Sequence, residues 1–303
     1  MSTTKIEWAD AVINPFVGCT RISAGCEHCY AERMAKRLQA MGTRGYEVSA
    51  HFDSVVGRHG RWNGRINVIP QAMQAATRRR KSTTFFVNSM SDLFHEKKTY
   101  TDVSLVLDVI AACPQHTFIV LTKRPSCMVQ VMLEYYKSNQ TLPNLALGVS
   151  IENQNEVHRA CTLTQVNAAI RFVSYEPALG PLDIRAQLAT SKIHGVICGG
   201  ESGPGARPMH PDWARSMRDQ CAEAGVHVFF KQWGEWAPGE NTPDDGRRYP
   251  MQQYFNEHWD VTAGQWMDEE DYGPIMYRVG KHRAGRLIDG RTHNALPWEV
   301  GER

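Results

Sequence analysis

Thr83-Thr-Phe-Phe-Val-Asn-Ser-Met90 crowds β-branched and aromatic residues into one short run that turns polar at its end. Such a run predicts a buried strand. A rhythm starts there. Thr101 to Cys113 places Val103, Val106, Leu107 and Ile110 on one helical face, and Pro114 stops it. His116-Thr-Phe-Ile-Val-Leu-Thr-Lys123 reads as the next strand. Arg124 to Lys137, with Met128, Val131, Met132 and Tyr135 at helical spacing, reads as the next helix. Leu145 to Ile151, Ile170 to Glu176, Gly195 to Gly200 and Val226 to Trp233 supply four more strands. Between them lie a weaker helix from Asn153 to Val166, a less regular connection from Pro177 to Lys192, and a helix capped by Asp212 and stopped by Gly225.

Continuous apolar strands alternating with helices predict a parallel sheet covered on both faces. Upstream, Ala11-Val-Ile-Asn-Pro-Phe-Val-Gly18 predicts a seventh strand, followed by a helix from about Tyr30 to Met41. No Gly-x-Gly-x-x-Gly turn follows that strand, which counts against a dinucleotide-binding sheet. The expected fold class is therefore α/β, a partial or complete TIM-like βα barrel over residues 1–236. Residues 42–82 break the rhythm as an Arg/Gly-rich insertion after the first βα unit, with a short hairpin and a helix after Pro70. Residues 237–303 are polar and read as a loop-rich C-terminal cap or extension.

Composition narrows the class. Hydrophobic residues are 42% and charged residues 22% of 303, ordinary globular usage that excludes disorder throughout. Lys plus Arg number 34 against 32 Asp plus Glu, so no global nucleic-acid-binding charge exists, though local basic patches remain open. No apolar run is long enough for a membrane helix, and the first residues lack a signal-peptide core. The expectation is a cytoplasmic protein without a membrane partner. Eight cysteines in that compartment are not a disulfide framework.

The cysteines are uneven. Gly18-Cys-Thr-Arg-Ile-Ser-Ala-Gly-Cys-Glu-His-Cys-Tyr30 puts Cys19, Cys26 and Cys29 in one loop after the first strand, spaced Cys-x6-Cys-x2-Cys. In βα barrels the site lies at the carboxyl ends of the strands, where this loop also lies. Thiolates suit zinc or iron–sulfur clusters. Structural zinc closes with four ligands, whereas three leave a coordination position for chemistry. His28 is a further candidate ligand, placed awkwardly between Cys26 and Cys29. The other strand ends carry Ser89, Asp92, Glu152, Glu176 and Glu201 among further polar residues, which also fits strands merely emerging into water.

A three-cysteine loop after the first strand of a βα barrel resembles the radical S-adenosylmethionine superfamily. The chain as a whole is similar to a phage- and bacteria-associated three-Cys-motif family of unassigned function. That similarity rests on Cys19 to Lys36, Phe86 to His95, Gln115 to Pro125, Arg171 to Pro177, Gly199 to Pro211 and Phe229 to Trp236. The superfamily resemblance implies an enzyme in which Cys19, Cys26 and Cys29 hold a 4Fe-4S cluster that binds and reductively cleaves S-adenosylmethionine. It further implies a reductant such as flavodoxin or ferredoxin. Ser89 and Asp92 become candidates for the methionyl ammonium, and Glu152, Glu176 and Glu201 for ribose or substrate. Tyr30, beside the third cysteine, becomes a cofactor contact; the residue before that cysteine, usually aromatic, is His28 here. The first gap is longer than the usual Cys-x3-Cys, and Asn88 to Asp92 replaces the usual glycine-rich motif.

Two rival readings stand beside this one. A nucleic-acid-associated binding protein would use a structural zinc or iron–sulfur loop together with the basic residues Arg58, Arg61, Arg65, Arg78 to Lys81, Lys97, Lys98 and Arg124, and Trp62 for stacking. The same residues make a nucleotide or nucleic acid a candidate substrate for an enzyme. A metal-dependent barrel hydrolase would pair Asp92 with His95.

Overall fold

The strands assemble side by side in chain order in the computed structural model, which describes residues 4, 6–42, 47–57, 59–260 and 265–299. They are β1 (Ala11–Ile13), β2 (Thr84–Val87), β3 (Thr117–Thr122), β4 (Leu145–Ser150), β5 (Ile170–Tyr175), β6 (Gly195–Gly199) and β7 (His227–Gln232). Every neighbouring pair is parallel. A doubly wound sheet reverses its strand order at a switch point. This order never reverses, and among the described residues β1 and β7 remain the two edges. The architecture is mixed α/β with the strand order of a partial βα barrel.

The main helices are α1 (Tyr30–Gly42), α2 (Tyr100–Ala111), α3 (Pro125–Tyr135), α4 (His158–Leu163) and α5 (Pro211–Ala224). Thr99 and Asp102 cap α2 reciprocally, Pro125 opens α3, and Gly225 closes α5 at φ 64°. The weak helical signal after Asn153 resolves into one 3-10 turn at Gln154–Glu156 and the short α4.

Two apolar layers follow from the two-residue period of the strands. Phe85, Val87, Phe118, Val120, Leu147, Val173 and Val196 join the helices in the larger core. Ile119, Ala146, Phe172, Ile197 and Phe229 point the other way into a smaller one, together with Trp8. Leu296 and Trp298 pack on it. Trp298 meets Trp8 and Phe172 edge-on, with ring centroids 5.8 and 5.6 Å apart. Gly148 leaves room for the Phe172 ring, which a Cβ there would meet at 2.3 Å. Trp8, Leu296 and Trp298 thus plug the amino-terminal end of the sheet's inner face. Continued toward the carboxyl ends, the inner rows pass through Ser150, Ser174 and Gly199 to Lys123, Glu152, Glu176 and Lys231.

Three departures from expectation have local causes. The strand predicted over 11–18 stops at Ile13, and after Asn14 and Pro15 the pair Phe16–Val17 joins Asn67–Val68 antiparallel instead. Proline has no N–H to give a ladder. In the insertion, the short helix Gln74–Thr77 follows Pro70 as expected, and a single bridge from Val56 to Trp62 stands where a hairpin was predicted. Residues 43–46 and Arg58 of that insertion lie outside the described residues, as do residues 261–264 and 300–303 of the tail. The tail is less loop-rich than its composition suggests. Trp236–Pro238, Met251–Asp260 and Gln265–Arg278 form a three-stranded antiparallel sheet. Met276, Val279, Ala284 and Ile288 from this region enter the main core. No helix among the described residues is long and apolar enough to cross a membrane.

Candidate functional site

The cysteine loop leaves the sheet beside the carboxyl end of β2. Gly18 bridges Ser91 in parallel, donates its N–H to the Met90 carbonyl at 3.0 Å, and accepts from Ser91 Oγ at 2.6 Å. Its φ of +100° and the Arg65 carbonyl, 2.0 Å from where a Cβ would stand, both demand glycine. Cys19 follows at once. Ala24–Cys26 makes one 3-10 turn, with Cys26 N–H donating to Ser23 O at 2.9 Å. Cys29 sits directly before α1. All three thiols are free and half-buried.

Their electrostatics are linked. Burial, then the nearby Asp92 charge and, least, Cys29 push the Cys19 thiol up to about 12 against the pull of Arg124. Burial likewise raises Cys29, with Cys26 adding to it. Burial also raises Cys26, but Lys123 and hydrogen bonds at Ile22 and Ser23 outweigh it, so the net shift is downward. Arg124 Nη1 lies 3.8 Å from Cys19 Sγ. Among the described residues, no three His, Cys, Asp or Glu side chains converge so as to hold one metal ion.

The strand-end carboxylates fasten this loop to the sheet. Glu152 is fully buried and accepts from Ser23 Oγ at 2.8 Å, from Arg159 Nη1 at 3.0 Å and from Lys123 Nζ. Gly25 presses on the same carboxylate: a Cβ there would stand 2.4 Å from Oε1. Glu201 accepts from Arg207 Nε at 2.9 Å and Nη2 at 2.6 Å, and pairs with His28 Nδ1 at 3.1 Å. Arg207 also reaches Glu27 at 3.0 Å and the Ala24 carbonyl at 3.1 Å. Burial raises the Glu201 carboxyl, but the bonds from Arg207 and His28 prevail and hold it below the usual range.

The remaining candidates divide. Glu176 pairs with Lys231 at 2.9 Å on the inner face, and a Cβ at Gly199 would stand 2.8 Å from its Oε1. Asp92 accepts from Thr122 Oγ1 at 2.6 Å, Lys123 N at 3.0 Å, Phe94 N at 3.0 Å and Arg124 Nη1 at 3.1 Å. Its four donors make it the anchor of Arg124. Ser89 donates to Asn14 Oδ1 at 3.2 Å. Tyr30 starts α1 with 56% of its surface exposed. His95 takes the Lys97 N–H on Nδ1 at 3.2 Å, so its proton sits on Nε2, 3.0 Å from Thr20 Oγ1. Both nitrogens are occupied by protein. Sequence reasoning missed Ser23, Arg159 and Arg207 as fasteners; Ser23 lies inside the cysteine window, while the two arginines carry no local signal.

No curated protein matches the chain. A solved structure to which it is similar is spore photoproduct lyase complexed with dinucleoside spore photoproduct, at 12% identity over 91% of this chain and 71% of that one. The TM-score is 0.38, too slight a likeness to decide architecture or chemistry. A family model matches residues 3–297, nearly the whole chain. The chain therefore belongs to the family described as "Protein of unknown function (DUF5131)".

Proposed function

We propose that the carboxyl edge of the sheet holds a 4Fe-4S cluster through Cys19, Cys26 and Cys29 and binds S-adenosylmethionine beside it, making the protein an enzyme of the radical S-adenosylmethionine type. The observation that carries the reading is the thiol trio: Cys19, Cys26 and Cys29 stand on one loop at the strand ends, with Cys29 electrostatically coupled to Cys19 and to Cys26. Thiolate ligation would reverse the upward shifts that burial imposes on Cys19 and Cys29.

When bound, the cluster and S-adenosylmethionine supply one-electron reduction and a means of abstracting hydrogen from substrate, with the electron coming from a flavodoxin- or ferredoxin-like reductant. The chain's own residues do the rest. Lys123 favours the Cys26 thiolate through its charge. Glu152 and Glu201 clamp the two shoulders of the loop, at Ser23 and at His28. Trp8 and Trp298 exclude water from below. Ser174, Gly199 and the Glu176–Lys231 pair face the enclosed side of the sheet, a small, polar floor on which a substrate is oriented. The hydrolase rival gains no support, because Asp92 and His95 are both saturated by protein partners.

Anaerobic reconstitution with iron and sulfide tests the reading. The expected product is brown and oxygen-sensitive, has an electron paramagnetic resonance signal altered by S-adenosylmethionine, and releases 5′-deoxyadenosine under dithionite. Cys26→Ala should lose all three properties. A colourless protein carrying one zinc, or iron content indifferent to Cys26→Ala, refutes it.

A further inference from the structure

Outside the inner face of the sheet lies a cavity of about 270 Å³ between the cysteine loop, α1 and the insertion. Cys29 forms part of its wall, and Arg21, Arg33, Lys36 and Arg61 supply four cationic side chains. The two carboxylates in the wall are already committed. Glu32 is buried and paired with Arg21, and it also accepts the Trp62 N–H at 2.5 Å. Glu27 pairs with Arg207 at 3.0 Å. Among the described residues Arg33, Lys36 and Arg61 have no ion pair. Arg33 donates from Nη2 to the Ser202 carbonyl at 3.1 Å, while its Nη1 is buried without a hydrogen-bond partner. A buried, charged donor without an acceptor is costly unless a ligand supplies one. Gly203 permits this placement: a Cβ there would stand 2.3 Å from Arg33 Nη1.

We infer that this cavity seats a phosphate ester, the anionic group of the substrate. Three uncompensated cations around one hollow attract a multiply charged anion, and an arginine fork matches phosphate oxygens better than it matches a neutral ligand. The volume lies just under the roughly 300 Å³ at which pockets for drug-sized ligands begin, room for a phosphate and the sugar-sized piece attached to it. The inference rests on the preceding reading for the meaning of the Cys29 wall, and on the cavity alone for the binding itself. A phosphate held here tethers a substrate whose remaining atoms extend past Cys29 toward the thiol loop. The same chemistry comes from a free nucleotide or from a nucleic-acid strand, and only an assay separates the two.

The test uses the full chain purified in air, without a cluster. Inorganic phosphate, pyrophosphate, a nucleoside monophosphate and a short single-stranded oligonucleotide are each titrated calorimetrically at low and moderate salt. Binding of at least one is expected, weakening as salt rises. Arg61→Gln and Lys36→Gln, both at exposed positions, should each weaken it about tenfold, and Arg33→Met further. Lys137→Gln, an exposed lysine at the end of α3, should leave it unchanged. If the oligonucleotide alone binds, the source is a strand; if the monophosphate binds as tightly, it is a free nucleotide. Absence of binding by all four probes, or binding indifferent to Arg61→Gln and Lys36→Gln, overturns the inference. Iron content after reconstitution is read on the same variants. Phosphate binding by a chain that takes up no iron on reconstitution would sink the reading of the thiols and leave this site standing, and iron uptake by a chain that binds none of the four probes would do the opposite.

Discussion

Gly25→Ala is a one-methyl test of how the cysteine loop is held. Gly25 has no left-handed backbone, so alanine meets no dihedral penalty there. By itself the change should stabilise the protein by about 0.4–1 kcal/mol, because the unfolded chain loses freedom. The contact geometry says otherwise. The new Cβ would stand 2.4 Å from Glu152 Oε1, 2.6 Å from Cγ and 2.9 Å from Cδ. Glu152 cannot retreat, because Ser23, Lys123 and Arg159 grip it from three sides. The loop must give way instead, and Cys26 is the next residue. Overpacking of this kind costs about 1–3 kcal/mol. The clash outweighs the entropy gain, leaving a net loss of roughly 1–2 kcal/mol. Urea unfolding of the cluster-free protein measures it. Gly239→Ala serves as control, since its Cβ would have nothing nearer than 4.0 Å. After anaerobic reconstitution, Gly25→Ala should also hold less than half the iron of the parent. A Gly25→Ala protein as stable as the parent, with full iron, would show that the loop does not press on Glu152.

Other perturbations bear on the same frame. Glu152→Gln strands Lys123 and Arg159 without their shared counter-charge, and should cost about 3–5 kcal/mol in urea unfolding. Glu152→Gln combined with Lys123→Met should recover part of that loss. His95 is held neutral: burial and then Arg124 push it down to about 4. The unfolded chain takes up a proton near 6.5 and the fold does not, so stability is full above about pH 6.5 and falls as pH drops toward 4, by on the order of 2–3 kcal/mol. His95→Gln should flatten that acid slope in urea midpoints measured between pH 7 and 4.5; an unchanged slope would clear His95 of the effect. Trp298→Ala opens the plug beneath the inner face and should cost about 3 kcal/mol in thermal or urea unfolding.

The middle of the sheet was legible because strands buried on both faces read as unbroken apolar runs. Phe118-Ile-Val-Leu121 and Leu145-Ala-Leu-Gly-Val149 carry their burial in their composition. The break after Ile13 was less visible, since an apolar count passes over Asn14 and Pro15 while the hydrogen-bond ladder does not. The tail's antiparallel strands were hidden because polar and charged residues recur through Met251–Asp260 and Gln265–Arg278 and leave no apolar run. At the site, cysteine spacing was local and readable, and Glu152, Glu176 and Glu201 followed from strand-end position. Their partners were not readable. Ser23 and Glu152 are 129 residues apart, and Arg207 and Ala24 are 183 apart. Only the strand order of the sheet brings them together. Tyr30, assigned by adjacency to Cys29, stands at the start of α1 with its side chain exposed.

The way charge is satisfied at the strand ends bears on what the site is for. A mouth built to bind a hard cation would leave carboxylate oxygens facing the cavity. Here each strand-end carboxylate has protein cations or donors on it: Asp92 has Arg124, Glu152 has Lys123 and Arg159, Glu176 has Lys231, and Glu201 has Arg207. Their negative charge is spent on holding the loop and the inner face in place. The sulfurs differ. Burial raises all three, the net shift is upward at Cys19 and Cys29, and repulsion from a neighbouring thiolate adds to it there, so the metal-free loop stores protons that a soft metal would displace. On the reading proposed above, a fold that neutralises its carboxylates internally and leaves its ligating capacity in thiols would favour a soft metal over a hard one, and Gly25 and Glu152, where the loop meets the sheet, are the contact that would hold those thiols in place.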